Sequence, residues 1–271
     1  MRRPAPSRPP VGHPSRRRLP GGWPGRLLAA VVLAVLALPG AQAAELTVSV
    51  AASLSGAVRE VAVAHEAANP GLKVRLNAGA SGALLQQIVR GAPVDVFVSA
   101  DLETMDQARA RGLVPAQGVR PLAGNTLVVA VPAAATYTPR ALADLLQPAV
   151  ARVAVGLPGS VPAGRHARAA LEAAGLWSAI EPRVVGAMSV RQALDHVARG
   201  EVDAAFVYAT DAALMPERVR VAFTVATAQP LRSAVAPVIA SRQPEAAERF
   251  IAQLLSPAGQ AVLARHGFTR P

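Results

Sequence analysis

Residues 153–164 read VAVGLPGSVPAG, and within them a strand, a turn and a helix start follow one another. Val153, Ala154 and Val155 form a short apolar run of the kind that ends a buried strand. Gly156, Pro158 and Gly159 break it, and Ser160-Val161 leads into Pro162. Proline suits a first helical position, because its missing N–H would have had no helical partner there. The Ala-, Leu- and Arg-rich stretch that follows reads as a helix to residue 174, stopped by Gly175. Such a helix start attracts anions through its unpaired N–H groups, that of Ala163 among them, and through the positive end of its dipole. Most turns of this kind in an α/β protein are only connections, so the weight lies in how many of them recur.

The same alternation runs outward in both directions. Upstream, residues 46–52 (LTVSVAA) read as a buried strand and 53–68 as a helix ended by Asn69-Pro70-Gly71. A strand at 73–77 precedes a helix at 81–90, and a strand at 94–99 precedes a helix that Asp101 caps. Residues 126–131 are strongly β, and Thr138-Pro139 predicts a helix to Leu146, with threonine as cap and proline at the first position. Downstream, Val184-Val185 leads to a helix opened by Ser189, which with Gln192 makes a capping box. Strands at 203–207 and 234–240 follow, then helices at 244–256 and from Pro257 to about Arg265. The pattern predicts an α/β protein with mainly parallel sheets.

The N-terminal end is of another kind. Seven arginines and no acid precede an unbroken apolar stretch, residues 27–38, and then Ala41-Gln42-Ala43. Twelve apolar residues are short for a bilayer, so residues 1–43 read as a signal peptide cut after Ala43. Ser15-Arg16-Arg17-Arg18-Leu19 resembles a twin-arginine export signal, from which Pro20 departs. The whole chain of 271 residues carries 28 basic and 17 acidic side chains, net +11; without the leader the balance is 21 to 17, about +4. Nucleic-acid binding thereby loses its main support. The absence of cysteine removes thiol catalysis, thiolate metal sites and disulfides, and with them the anchor of a lipoprotein. The expected product is a free protein in an exported compartment.

Ligands of such sheets sit at the carboxyl ends of strands, where helices begin. Four junctions share one chemistry there: Ser53 after the first strand, Ser81 in Gly79-Ala80-Ser81-Gly82, Ala163 behind Pro162, and Val190 behind Ser189. Each offers a backbone N–H, and the serines add hydroxyls. Tyr208, just past a strand end, can add a phenolic O–H. For any one of Ser53, Ser81 and Ser189 alone, ordinary helix capping is the better reading. Tyr208 alone would read as a half-buried edge residue.

The chain resembles the periplasmic molybdate-binding proteins of bacterial ABC uptake systems over essentially all of residues 46–268. The matching pieces, in order, are AASL (51–54), GASGALLQQI (79–88), GAPVDVFVSAD (91–101), GNTLVVAVP (124–132), AVGLPGSVPAG (154–164), VRQAL (190–194), VYATDA (207–212) and HGF (266–268). The resemblance implies a type II periplasmic binding protein fold, two α/β lobes facing an inter-lobe ligand cleft. Residues 45–122 with 231–271 would make one lobe and 123–230 the other, with crossings near Gly124-Asn125 and Gln229-Pro230. It implies a monomer that is not an enzyme and has no cofactor. The ligand would be molybdate or tungstate, and the partner an ABC transporter membrane permease. The metal would enter only as its oxyanion, held without counter-charge by the Ser53, Ser81 and Tyr208 side chains and the Ala163 and Val190 N–H groups. Gly164-Arg165-His166 departs from the family pattern, with more charge than expected after VPAG.

A donor-only pocket favours fully deprotonated dianions. Hydrogen phosphate carries a proton that must donate, and leaving it unpaired costs roughly 1–3 kcal/mol. Sulfate or thiosulfate is the alternative ligand that the same donors would serve. Catalysis finds little support. His65, His166, His196 and His266 are scattered and read as surface or capping residues, and Gly79-Ala80-Ser81-Gly82-Ala83 misses the G-x-S-x-G elbow. Asp95 and Asp101 flank a strand and read as structural caps. Ferric ion would need converging tyrosines and carboxylates, and only Tyr137 and Tyr208 exist.

Overall fold

The structure, a computed structural model, describes residues 44–271; the expected signal peptide and its cleavage site lie outside the described residues. Ten strands form two five-stranded sheets. The first has the order β2-β1-β3-β10-β4, from β1 (Ala44–Ala51), β2 (Leu72–Gly79), β3 (Val96–Ser99), β4 (Arg120–Asn125) and β10 (Leu231–Pro237). The second has the order β7-β6-β8-β5-β9, from β5 (Leu127–Pro132), β6 (Val153–Gly156), β7 (Val184–Ala187), β8 (Ala204–Tyr208) and β9 (Val219–Thr224). The α/β class is as the sequence suggests, but the sheets are mixed rather than mainly parallel. In each sheet three strands are parallel, β2-β1-β3 and β7-β6-β8, and the other two join antiparallel.

The parallel strands are covered on both faces and therefore read as apolar runs, VFVS in β3 and VAVG in β6, with every residue buried. Helix α1 (Ser55–Ala68) and helices α8 (Pro244–Leu255) and α9 (Pro257–Arg265) cover one face of the first sheet. Val58, Val61, Phe250 and Ile251 pack there on Val48 and Val50. Helices α2 (Ser81–Val89) and α3 (Leu102–Ala110) cover the other face through Leu84, Leu85, Ile88 and Met105. The period of two shows in β10, where Val235 joins the first cluster while Ala234 and Ala236 join the second. Burying a side chain such as Phe250 or Leu85 contributes roughly 1.5–3 kcal/mol. Helices α4 (Pro162–Ala173), α5 (Trp177–Ile180), α6 (Val190–Ala198) and α7 (Ala209–Ala212) accompany the second sheet, whose core contains Leu171, Ile180, Leu194 and Phe206.

The chain passes from the first sheet to the second through Thr126, between β4 and β5, and returns between β9 and β10. Three expectations need correction. No helix starts at Thr138-Pro139: only a 3-10 turn, Leu142–Leu146, forms, and Asp144 Oδ2 accepts the N–H groups of Arg140 and Ala141 in front of it. His65 is a core residue, packed edge-on against Phe250 with ring centroids 5.3 Å apart, where burial holds its pKa below the ordinary value. Gln192 reaches one residue past the cap, its Oε1 accepting the Met188 N–H at 2.6 Å rather than that of Ser189.

Candidate functional site

Six strand ends feed one cavity, three from each sheet. From the first sheet come Ser53 after β1, Ser81 after β2 and Ala100 after β3; from the second come Ala163 after β6, Val190 after β7 and Tyr208 at the end of β8. All five residues singled out in the sequence thus line the same small space. Its free volume, about 10 Å³, is far below the roughly 300–1,000 Å³ of a pocket for a drug-sized molecule.

Local structure explains what each residue offers. Ser53 sits inside the 3-10 turn Ala52–Leu54 and Ser81 is the first residue of α2, so neither is a cap. The Ser81 Oγ accepts the Ala100 N–H at 3.0 Å, which fixes the oxygen and leaves its proton to donate into the cavity. Ser189 is the contrasting case: its Oγ accepts the Gln192 N–H at 3.2 Å, and it caps α6 as expected. Val190 and Ala163 are the first and second residues of α6 and α4, positions whose N–H groups have no intrahelical acceptor. The start of α4 lies tight against β6 because residue 164 is glycine, whose Cβ would stand 1.7 Å from the Gly156 carbonyl oxygen.

Tyr208 carries the strongest signal. Its hydroxyl is buried and has no hydrogen-bond partner among the described residues. Burial first, and then the Asp101 and Asp211 carboxylates, raise its pKa well above the ordinary phenol, so the group stays a donor. An unpartnered buried hydroxyl costs roughly 1–3 kcal/mol, which a bound acceptor would relieve. No charged side chain lines the cavity. Charge stands just behind it, already paired. Arg191 Nε lies 2.7 Å from Asp211 Oδ1, although not aligned as a hydrogen bond, and Arg191 Nη2 donates to the Ser53 carbonyl at 3.4 Å. Burial pushes the Asp211 carboxyl up to about 6, and Arg191 pulls it the other way.

Arg165, the departure from the family pattern, points to neither open solvent nor the cavity. Its Nη2 donates to Asp101 Oδ2 at 3.0 Å and to Thr104 Oγ1 at 3.1 Å, joining α4 of the second sheet to the start of α3 of the first. Beside it the Gly82 N–H donates to the Ser160 carbonyl at 2.9 Å, another bond between the two halves. Asp101 caps α3 by accepting the Thr104 N–H, as expected, whereas Asp95 caps no helix: it accepts the Thr47 N–H of β1 and the Ser241 hydroxyl. The roles of Ala100, Arg191, Asp211 and the Arg165–Asp101 pair were not read from sequence. Arg191 and Asp211 do lie inside the VRQAL and VYATDA pieces.

Comparison with known proteins places this geometry in context. The family described as bacterial extracellular solute-binding protein matches residues 46–269. The molybdate-binding protein ModA of Mycobacterium tuberculosis is 33% identical over 86% of this chain and 87% of its own length. The putative ABC transporter substrate-binding lipoprotein YvgL of Bacillus subtilis is 31% identical over 83% and 86%. Among solved structures, the substrate binding domain of a putative molybdenum ABC transporter from Clostridium difficile superposes with a TM-score of 0.63. It is 31% identical, covering 84% of this chain and 99% of that one.

Proposed function

We propose, because the chain belongs to the bacterial extracellular solute-binding proteins, that it captures molybdate outside the cytoplasm and delivers it to an ABC transporter membrane permease. Tungstate, the isosteric dianion, is the expected second ligand. The observation that carries the reading is the buried Tyr208 hydroxyl without a partner, facing the same small uncharged cavity as Ser53, Ser81, Ala163 and Val190. Three hydroxyls and two N–H groups donate, and three helix starts add the positive ends of their dipoles. A tetrahedral dianion accepts from all of them without needing a counter-charge.

The wider arrangement follows from the same reading. One lobe is residues 45–125 with 231–271, the boundary expected at residue 122 moving to the end of β4, and 126–230 is the other; the ion is held where the lobes meet. The two chain crossings act as the hinge, and closure presents the surface that the permease recognises. Residues 1–43 are removed on export, and the product is a free monomer of the periplasm, without lipid, since no cysteine exists to carry one.

Calorimetric titration of the protein beginning at Ala44 tests this directly. Molybdate and tungstate should bind tightly and sulfate more weakly, because size must separate it. Hydrogen phosphate should be disfavoured by at least about ten- to a hundredfold for its unpaired proton. A preference for sulfate or thiosulfate over molybdate would overturn the ligand and keep the site; no oxyanion binding would overturn both.

A further inference from the structure

We propose that Arg165 and Asp101 form a latch across the cleft that holds the two lobes closed over the anion and, through the loop 99–101, positions the Ser81 hydroxyl. The proposal rests on the two-lobe reading above. Its first support is that Arg165 breaks a local rule. It stands in the opening turn of α4, where the helix dipole is positive and a cation is disfavoured, and that turn holds no acid. The compensation comes from the other half of the molecule. Asp101 Oδ2 and Thr104 Oγ1 accept from Arg165 Nη2, and Glu103 Oε2 lies 3.1 Å from Nε. The Pro158 carbonyl accepts from Nη1 at 3.3 Å, which ties the guanidinium to the loop that precedes its own helix. A local rule broken and compensated at a distance marks a residue kept for function.

The second support is what stands behind Asp101. Its side chain is only 4% exposed, and its Oδ1 accepts the Ser99 hydroxyl at 3.1 Å and the Thr104 N–H at 3.3 Å. One carboxylate oxygen therefore serves its own loop and the other serves Arg165. Ala100, between Ser99 and Asp101, donates its N–H to the Ser81 Oγ. The route from latch to ligand is a single loop. Arg165 is accordingly a positioning residue: its charge is neutralised by Asp101 and Glu103, and it does not line the cavity. The Gly82–Ser160 backbone bond lies on the same seam and closes with it.

A latch acts on escape rather than entry. Arg165→Ala should raise the molybdate dissociation rate about tenfold and leave the association rate within about twofold. Tungstate should be affected in equal proportion, since the latch touches no ligand atom. Arg165→Lys should recover part of the loss, because one ammonium can meet Asp101 but cannot also keep Thr104 and Pro158. Asp101→Asn keeps a good capping residue for α3 and should reproduce Arg165→Ala; the double variant should be no worse than either single one by more than about twofold. Spin labels on cysteines placed at Ala110 and Ala173, in a chain with no cysteine of its own, report closure without ligand. The closed fraction should fall in Arg165→Ala.

The outcomes separate. If the parent protein takes up no molybdate, the transport reading fails, and the spin-label distances alone decide the latch: an unchanged closed fraction overturns it. If the parent binds and Arg165→Ala keeps its dissociation rate, the latch is wrong. A loss confined to the association rate would also overturn it, since Arg165 would then be attracting the ion from solution.

Discussion

The cavity and its rim use opposite means within a few residues of each other. Inside, Ser53, Ser81, Ala163, Val190 and Tyr208 present neutral donors and no charge. Immediately behind, Arg165 with Asp101 and Arg191 with Asp211 are ion pairs, each partly or fully buried. On the proposed reading, the difference lets the site hold a dianion and still release it. A lysine or arginine in the cavity would bind any anion, whereas preorganised neutral dipoles accept only one that receives every bond. Full charges are kept where they neutralise one another and fasten elements together.

The largest effect should come from putting one negative charge on the wrong side of that boundary. Ala80 is the cap residue of α2 and lines the cavity. Ala80→Asp supplies a good helix cap, yet it sets a carboxylate against a dianion, a repulsion of several kcal/mol at an effective dielectric near 20. Molybdate affinity should fall by about a thousandfold or more while the melting temperature holds or rises. Next come the serine hydroxyls. Each bond to the dianion is charge-assisted, worth roughly 1.5–3 kcal/mol, so Ser53→Ala and Ser81→Ala should each weaken binding about ten- to a hundredfold in calorimetric titration.

Gly82→Ala sharpens the comparison from the seam. A Cβ at residue 82 would stand 2.8 Å from the Ser160 Cα and carbonyl oxygen, so closure must give way. Alanine is also the better helix former by about 1 kcal/mol. Affinity should drop about tenfold with no loss of stability in the ligand-free protein.

The rim pair Asp211–Arg191 gives a pH signature. Burial raises the Asp211 pKa from 3.8 to about 6, so between those values the folded protein holds the proton more tightly than the unfolded chain does. Its contribution to stability is full below about pH 4 and is lost as the pH rises through 6, on the order of 1–3 kcal/mol. Asp211→Asn should flatten that part of the stability profile in denaturant melts. The smallest effect belongs to Val190→Ala, which keeps the N–H and should change affinity by less than about twofold.

Much of this was legible because it is local. Pro162, the Ser189 cap and the glycines at 156 and 159 announce strand-to-helix turns in the sequence, and a binding protein of this architecture gathers such turns. The edge strands β4 and β9 were harder. β4, RPLAGN, has no apolar alternation and carries Pro121 and Gly124. It holds through its antiparallel pairing with β10, which only the fold supplies. The helix expected from Thr138-Pro139 failed because Asp144 takes the N–H groups of Arg140 and Ala141. The Arg165–Asp101 pair spans 64 residues of sequence, and no periodicity encodes a contact between two sheets. Arg165 could be noticed as out of place but not matched with its partner.

Tyr208 tests the central claim most directly, because its hydroxyl alone is buried, unpartnered and held as a donor by its surroundings. Tyr208→Phe removes one oxygen and leaves the ring packing in place. Molybdate titrated calorimetrically into this variant and the parent protein should show binding about ten- to a hundredfold weaker in the variant, with the fold at least as stable, since an unsatisfied group has gone. Equal affinity within twofold would mean that the anion is not held by these neutral donors.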